Sequence, residues 1–159
     1  EYDEYLKQLG QPGFVRSIAL GIIGLTAEYT KQTNEGRNLF IRGTNARGVW
    51  ERTLIASGAA VSDGTPDESA VSKTTGTGTT IITADSEEVD AEAWWESNGT
   101  VHRSWLRGVT KYGGGDFESR RYLEEEGSVL VCESTFHPEE DGRNNAVITW
   151  KFLRKGTSK

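Results

Sequence analysis

Methionine is absent from this chain of 159 residues, cysteine occurs once, histidine twice and proline three times. A single thiol excludes an intrachain disulfide framework and a thiolate zinc cluster. Two histidines give no basis for a multi-histidine metal site, and nothing in the chain calls for a cofactor. No apolar run reaches the roughly 18 residues that a membrane span needs. Positive charge is in deficit: 18 Lys and Arg face 24 Asp and Glu, a net charge of −6 with a pI near 5.0. That argues against nonspecific binding to nucleic acid and against docking on an anionic membrane. The missing methionine reads as a processed form or a piece of a longer chain. No secretory or transit segment remains at the start, so the address cannot be read.

What the chain does have is 19 glycines and five tryptophans. The length is that of one domain, 1–159, with no internal boundary or repeat. A chain of this size buries about 68–70% of its unfolded surface and holds a core without metal or disulfide. Glycine punctuation with many aromatics favours a β protein over a helical one.

The opening is the exception. Tyr2, Tyr5, Leu6 and Leu9 recur at helical spacing, and Gly10 followed by Pro12 stops the run. Phe14, Ile18, Ala19, Ile22 and Ile23 then repeat at three- and four-residue intervals up to Gly24. This predicts a short helix–turn–helix lying on a larger body. From Leu25 the period changes to two. It predicts strands over 26–33, 37–44, 49–57, 79–84, 92–97, 100–107, 117–124, 128–136 and 146–154. Asn98-Gly99 between two of them is the strongest hairpin signal. Nine strands joined by short turns imply an antiparallel up-and-down meander that curls into a barrel and loses its edges. The stretch 56–78, rich in Ser, Thr, Gly and Asp, predicts a long surface loop. Its Thr-Gly run at 74–79 lacks the lysine of a phosphate loop.

Alternation sorts side chains to the two faces of such a wall. On the last strand Ala146, Ile148, Trp150 and Phe152 share one face. On 117–124 the less charged set is Phe117, Ser119, Arg121 and Leu123. On 128–136, Val129, Val131 and Glu133 are set against Leu130 and Cys132. On 100–107 Arg103 and Trp105 oppose His102 and Leu106, and the pattern does not decide the side. The expected interior therefore combines Trp105, Trp150, Phe152 and Val131 with Arg121, Arg103 and Glu133. A buried guanidinium is costly without a partner. Either Glu133 satisfies Arg121 and the pair is structural, or Arg121 grips the acidic head of an apolar guest. For the aromatics, plain core packing is the commoner use and ligand contact the other.

The order of elements, the opening YDEYLKQLG with Phe14, Val15 and Arg16 after it, and the run Arg121-Tyr122-Leu123 followed by Gly127 to Val131 resemble the intracellular fatty-acid-binding protein family, part of the lipocalin-like (calycin) group. The ending CESTF…VITWKFLRK fits as well. The resemblance implies a ten-strand barrel lidded by two helices, holding one fatty acid, retinoid or similar lipid for transport, in the cytoplasm or an organelle lumen. It places the family's carboxylate-binding arginine at Arg121, or at Arg120 with a one-residue shift. The family's last-strand Arg-x-Tyr pair falls on Trp150 and Phe152, which removes a cation and a hydroxyl. A bulkier guest, such as a pigment, terpenoid or aromatic, or tryptophans that fill the cavity themselves, would suit that change. The family's first strand precedes its helices, whereas this chain opens at the helix, which suggests a fragment or a subunit. The segments 56–78 and 137–145 are longer than is usual there.

Other residues carry weaker signals. His102 and His137 read as surface histidines. Cys132 has no base beside it and reads as packed away from the interior. Asn98-Gly99-Thr100 matches a glycosylation acceptor but is already explained as a turn. The leading functional expectation is a noncatalytic carrier of one hydrophobic molecule, admitted near Phe14, Ile18 and Ile22. Trp105, Arg121, Val131, Trp150 and Phe152 would hold it, with Arg103 and Glu133 tuning polarity. The alternatives are a filled barrel serving as a structural subunit that docks on a protein partner, and an enzyme acting on such a guest, as in the similar barrel of dinoflagellate luciferases.

Overall fold

A computed structural model of the chain describes residues 1–46, 48–56 and 79–155. The predicted loop 56–78 and its Thr-Gly run lie outside the described residues, apart from Ala56. Helix α1 spans Tyr2–Gln8, with Asp3 and Glu4 in its first turn and Lys7 in its last, matching the helix dipole at both ends. Helix α2 spans Gly13–Ile22. Gly10 turns the chain between them at φ +77°, where a side chain would be strained. Arg16 Nε donates to Asp3 at 2.8 Å and ties the two helices.

Tyr5, Leu6 and Leu9 bury against Phe136, Ala146 and Ile148 of the sheet. Arg143 fixes the end of α1 by donating to the carbonyls of Gln8 (2.7 Å) and Tyr112 (2.6 Å). Helix α2 has no buried residue. Among the described residues no helix is long and apolar enough to cross a membrane.

Nine strands follow among the described residues: β1 Ala27–Thr33, β2 Asn38–Asn45, β3 Gly48–Ile55, β4 Thr79–Ile82, β5 Glu88–Glu96, β6 Val101–Val109, β7 Gly115–Glu124, β8 Val129–Pro138 and β9 Ala146–Leu153. Every ladder among the described residues is antiparallel and joins consecutive strands, and one isolated parallel bridge links Ala56, just past β3, to Ala93 of β5. The hairpin signal at Asn98-Gly99 marks a real turn, but Ser97 belongs to it too. Ser97, Asn98 and Gly99 all have positive φ, and the same three-residue form recurs at Asn34-Glu35-Gly36 and Glu125-Glu126-Gly127.

The strands form two sheets, β1-β2-β3 and β4-β5-β6-β7-β8-β9. The expected barrel is therefore not closed by hydrogen bonds: among the described residues neither β3 with β4 nor β9 with β1 forms a ladder. Leu39, Ile41 and Leu54 of the small sheet pack with Ile81, Val89, Ala91, Ala93, Leu106 and Val109 of the large one. Burying this apolar surface from both inner faces is what holds the sheets together. A groove of about 860 Å³ runs along the open seam, lined by residues 26–30 on one side and 151–155 on the other.

Candidate functional site

Between the sheets lies a cavity of about 290 Å³. Tyr2 and Ile23 reach it from the helical region, Trp50 and Arg52 from β3, Phe117 and Arg121 from β7, and Trp150 and Phe152 from β9. Tyr2 meets Trp150 edge-on at 5.1 Å. Trp50 can lie flat across β2 because residue 43 is glycine. A Cβ there would come within 2.1 Å of the indole. Arg52 in turn stacks on Trp50, its guanidinium carbon 4.6 Å from the ring centroid.

The wall mixes apolar and polar side chains and carries Arg52 and Arg121 together with Glu28, Asp85 and Glu87. Arg121 Nε donates to Glu28 at 3.1 Å, and the two side chains are only 6% and 7% exposed. The pair crosses from β7 of one sheet to β1 of the other. Arg121 Nη1 and Arg52 Nε are buried without hydrogen-bond partners. Burial, and then repulsion from Arg121, lower the Arg52 pKa to about 10, so it is still charged at neutral pH. Burial alone would lower Arg121 as well, but Cys132, Glu28 and the hydrogen bond to Glu28 more than offset it and raise its pKa. Glu28 is the carboxylate that acts on both guanidiniums, while Asp85 and Glu87 on the same cavity wall accept from Tyr112 and Thr110.

Arg121 also lines a second cavity of about 530 Å³, with Leu39, Trp95, His102 and Leu130 among its neighbours. Cross-strand register puts Trp95, His102, Arg121, Cys132 and Trp150 in one inward row over β5 to β9. Cys132 is buried, and burial holds its thiol pKa up.

Of the residues the sequence singled out, Arg121, Trp150 and Phe152 line the first cavity. The remaining six lie elsewhere. Val131 and Glu133 belong to the outward row of β8. Glu133 sits opposite Arg120 and Val131 opposite Tyr122, so the parity expected for this strand was off by one and Cys132 faces inward instead. Val131 is fully buried all the same, which is why its apolar character misled.

Arg103 and Trp105 also face outward, because the inward set on β6 is His102, Ser104 and Leu106. His102 is therefore a buried histidine and not a surface one. Phe14 and Ile18 are 72% and 61% exposed on α2 and reach no described cavity.

The outward residues have partners of their own. Arg103 pairs with Glu96 at 3.1 Å and with Glu118. Arg107 pairs with Glu92 and Asp116 and stacks on Trp105 at 4.0 Å. Arg120 pairs with Glu133 at 3.2 Å. His137 donates to Glu118 at 2.9 Å and stacks on Trp105.

Glu28, Trp50, Arg52 and His102 are the site residues that sequence reasoning missed. On β1 the inward set is Glu28, Thr30 and Gln32, which has no apolar member to reveal it. On β3, Trp50, Arg52 and Leu54 alternate with Glu51, Thr53 and Ile55, a signal that was present but unused.

Two facing antiparallel sheets with two helices ahead of them superpose on solved structures over nearly the whole chain. A REP1-NXSQ fatty acid transporter matches with a TM-score of 0.60 at 11% identity, covering 99% of this chain and 89% of that one. Apo lipid binding protein 8 of Caenorhabditis elegans matches at 0.60 and 13% identity, over 97% and 86%. Fatty-acid-binding protein 1 of Echinococcus granulosus matches at 0.58 and 14%, over 98% and 89%. This is the fatty-acid-binding-protein fold. No protein-family model and no curated protein matches the sequence. In the fatty-acid-binding-protein fold as this chain builds it, the inner wall carries Arg52 on β3 and Arg121 on β7, while the last strand contributes only Trp150 and Phe152.

Proposed function

We propose that the chain is a noncatalytic carrier of one hydrophobic molecule with a singly charged acidic head. The observation that carries this is the pair of guanidinium nitrogens on the cavity wall that are buried without a partner, Arg121 Nη1 and Arg52 Nε. A buried cation without a counter-charge is costly. One carboxylate on the guest gives both nitrogens an acceptor. Charge-assisted pairs of this kind are the strong ones. Trp50, Phe117, Trp150 and Phe152 offer the apolar tail its walls, and burial of that tail at roughly 25 cal/mol per Å² supplies most of the affinity.

The resemblance leaves the head without the last strand's cation, and Arg52 supplies one from the opposite sheet. The names of the structural neighbours, a fatty acid transporter and two lipid or fatty-acid binders, support the same reading.

Displacement of a fluorescent fatty acid by oleate and by oleyl alcohol tests it. Oleate is expected to displace the probe, and Arg121→Met to weaken oleate more than tenfold while leaving the alcohol unchanged, since hydrogen bonds to charged groups contribute about 1.5–3 kcal/mol. Equal affinity for acid and alcohol, or no loss in the variant, would remove the charged head from the reading.

A further inference from the structure

Opposite Arg121 in the β6–β7 register stands His102. It is 1% exposed, and Nδ1 and Nε2 are both buried without a hydrogen-bond partner. The ring lies edge-on to Trp95 at 4.9 Å and borders the second cavity beside Arg121, Leu39 and Leu130. Burial, with Arg121 and Arg52 nearby, keeps the imidazole neutral. A neutral imidazole presents one donor and one acceptor on opposite edges.

An ionised carboxylate can only accept. Held by the guanidinium of Arg121, it leaves the imidazole unpaired, and among the described residues no side chain bonds either ring nitrogen. A hydroxyl on the guest, a carbon or two from the carboxylate, both donates and accepts, and so pairs with the nitrogen nearest the guest in either tautomer. A site built to bond a hydroxyl discriminates strongly, because an analogue lacking it leaves a buried polar atom unpaired.

We propose that His102 reads a hydroxyl beside the acidic head, so that the preferred guest is a 2- or 3-hydroxy lipid acid and not a plain one. This rests on the anionic-guest reading above and narrows it. Titration with hexadecanoate, 2-hydroxyhexadecanoate and 3-hydroxyhexadecanoate tests it on the full chain. The native protein is expected to bind one of the hydroxy acids about tenfold tighter than hexadecanoate, the scale of one hydrogen bond that relieves a buried unpaired group. His102→Phe should erase that preference by weakening the hydroxy acid alone. His102→Gln, which keeps a donor and an acceptor, should retain part of it. Equal affinity for all three acids in the native protein, or a preference that survives His102→Phe, would overturn the role of His102 and leave the anionic-guest reading standing. Failure of the native protein to bind any of the three overturns both.

Discussion

The two faces of the six-stranded sheet treat arginine in opposite ways. Outside, Arg103, Arg107 and Arg120 meet Glu92, Glu96, Asp116, Glu118 and Glu133, so every cation has acids within reach. Inside, Arg121 shares a single carboxylate with Arg52 from across the cavity. The outer network is partly in solvent, where such pairs contribute little. The inner pair is almost fully buried, and Arg121 Nη1 and Arg52 Nε have no partner there. The two faces differ in how deeply their ion pairs are buried.

The comparison can be broken most directly at Glu28. Glu28→Gln leaves both inner guanidiniums without a counter-ion, and loss of one member of a buried pair costs about 3–5 kcal/mol. Urea denaturation should show that drop, and added oleate should recover more stability in the variant than in the native protein. A drop as small as that of an outer-face variant would show that the two faces do not differ.

Gly43→Ala pushes a methyl into the Trp50 indole. Overpacking of this kind costs about 1–3 kcal/mol. The displaced indole takes the Arg52 stack with it, so thermal stability and oleate affinity should fall together. An unchanged melting curve would mean that Trp50 has room to move.

Acid sharpens the contrast at His102, whose pKa falls from 6.5 to about 3 through burial first and then the nearby Arg121 and Arg52. Below pH 6.5 the unfolded chain takes up a proton that the folded chain refuses until about pH 3. The stability this neutral ring contributes is complete above pH 6.5 and is lost as the pH falls, by about 1.4 kcal/mol per pH unit. His102→Phe should flatten that part of the stability profile, and an identical slope in the variant would assign the loss to other groups. The smallest effect belongs outside: Arg107→Ala should cost under about 1 kcal/mol and leave oleate affinity unchanged.

Much of the fold is legible in the chain. The switch from helical spacing to period two near Leu25 places both helices and all nine described strands, because each strand carries alternating side chains and ends at Gly, Asn or a charged turn. The site is legible where the alternation along a strand separates the faces cleanly, as at Phe117 and Arg121 on β7 and Trp150 and Phe152 on β9. It is hidden on β6, where the bulkier Arg103 and Trp105 face outward and are covered by each other's partners, while His102 and Ser104 face in. It is hidden again on β1, since Glu28 is inward for the sake of a residue 93 positions away. Pairings that distant leave no mark on local pattern.

Arg121 and Glu28 belong to different sheets, and those sheets share no ladder along either seam among the described residues. The salt link is thus a rivet between two shells that are also joined by core side chains, by the bridge between Ala56 and Ala93 and by the bond from Trp95 Nε1 to the Arg37 carbonyl. On the function proposed above, a guest takes the free Nη1 while Nε stays on Glu28, so one guanidinium fastens the shells and holds the cargo at once.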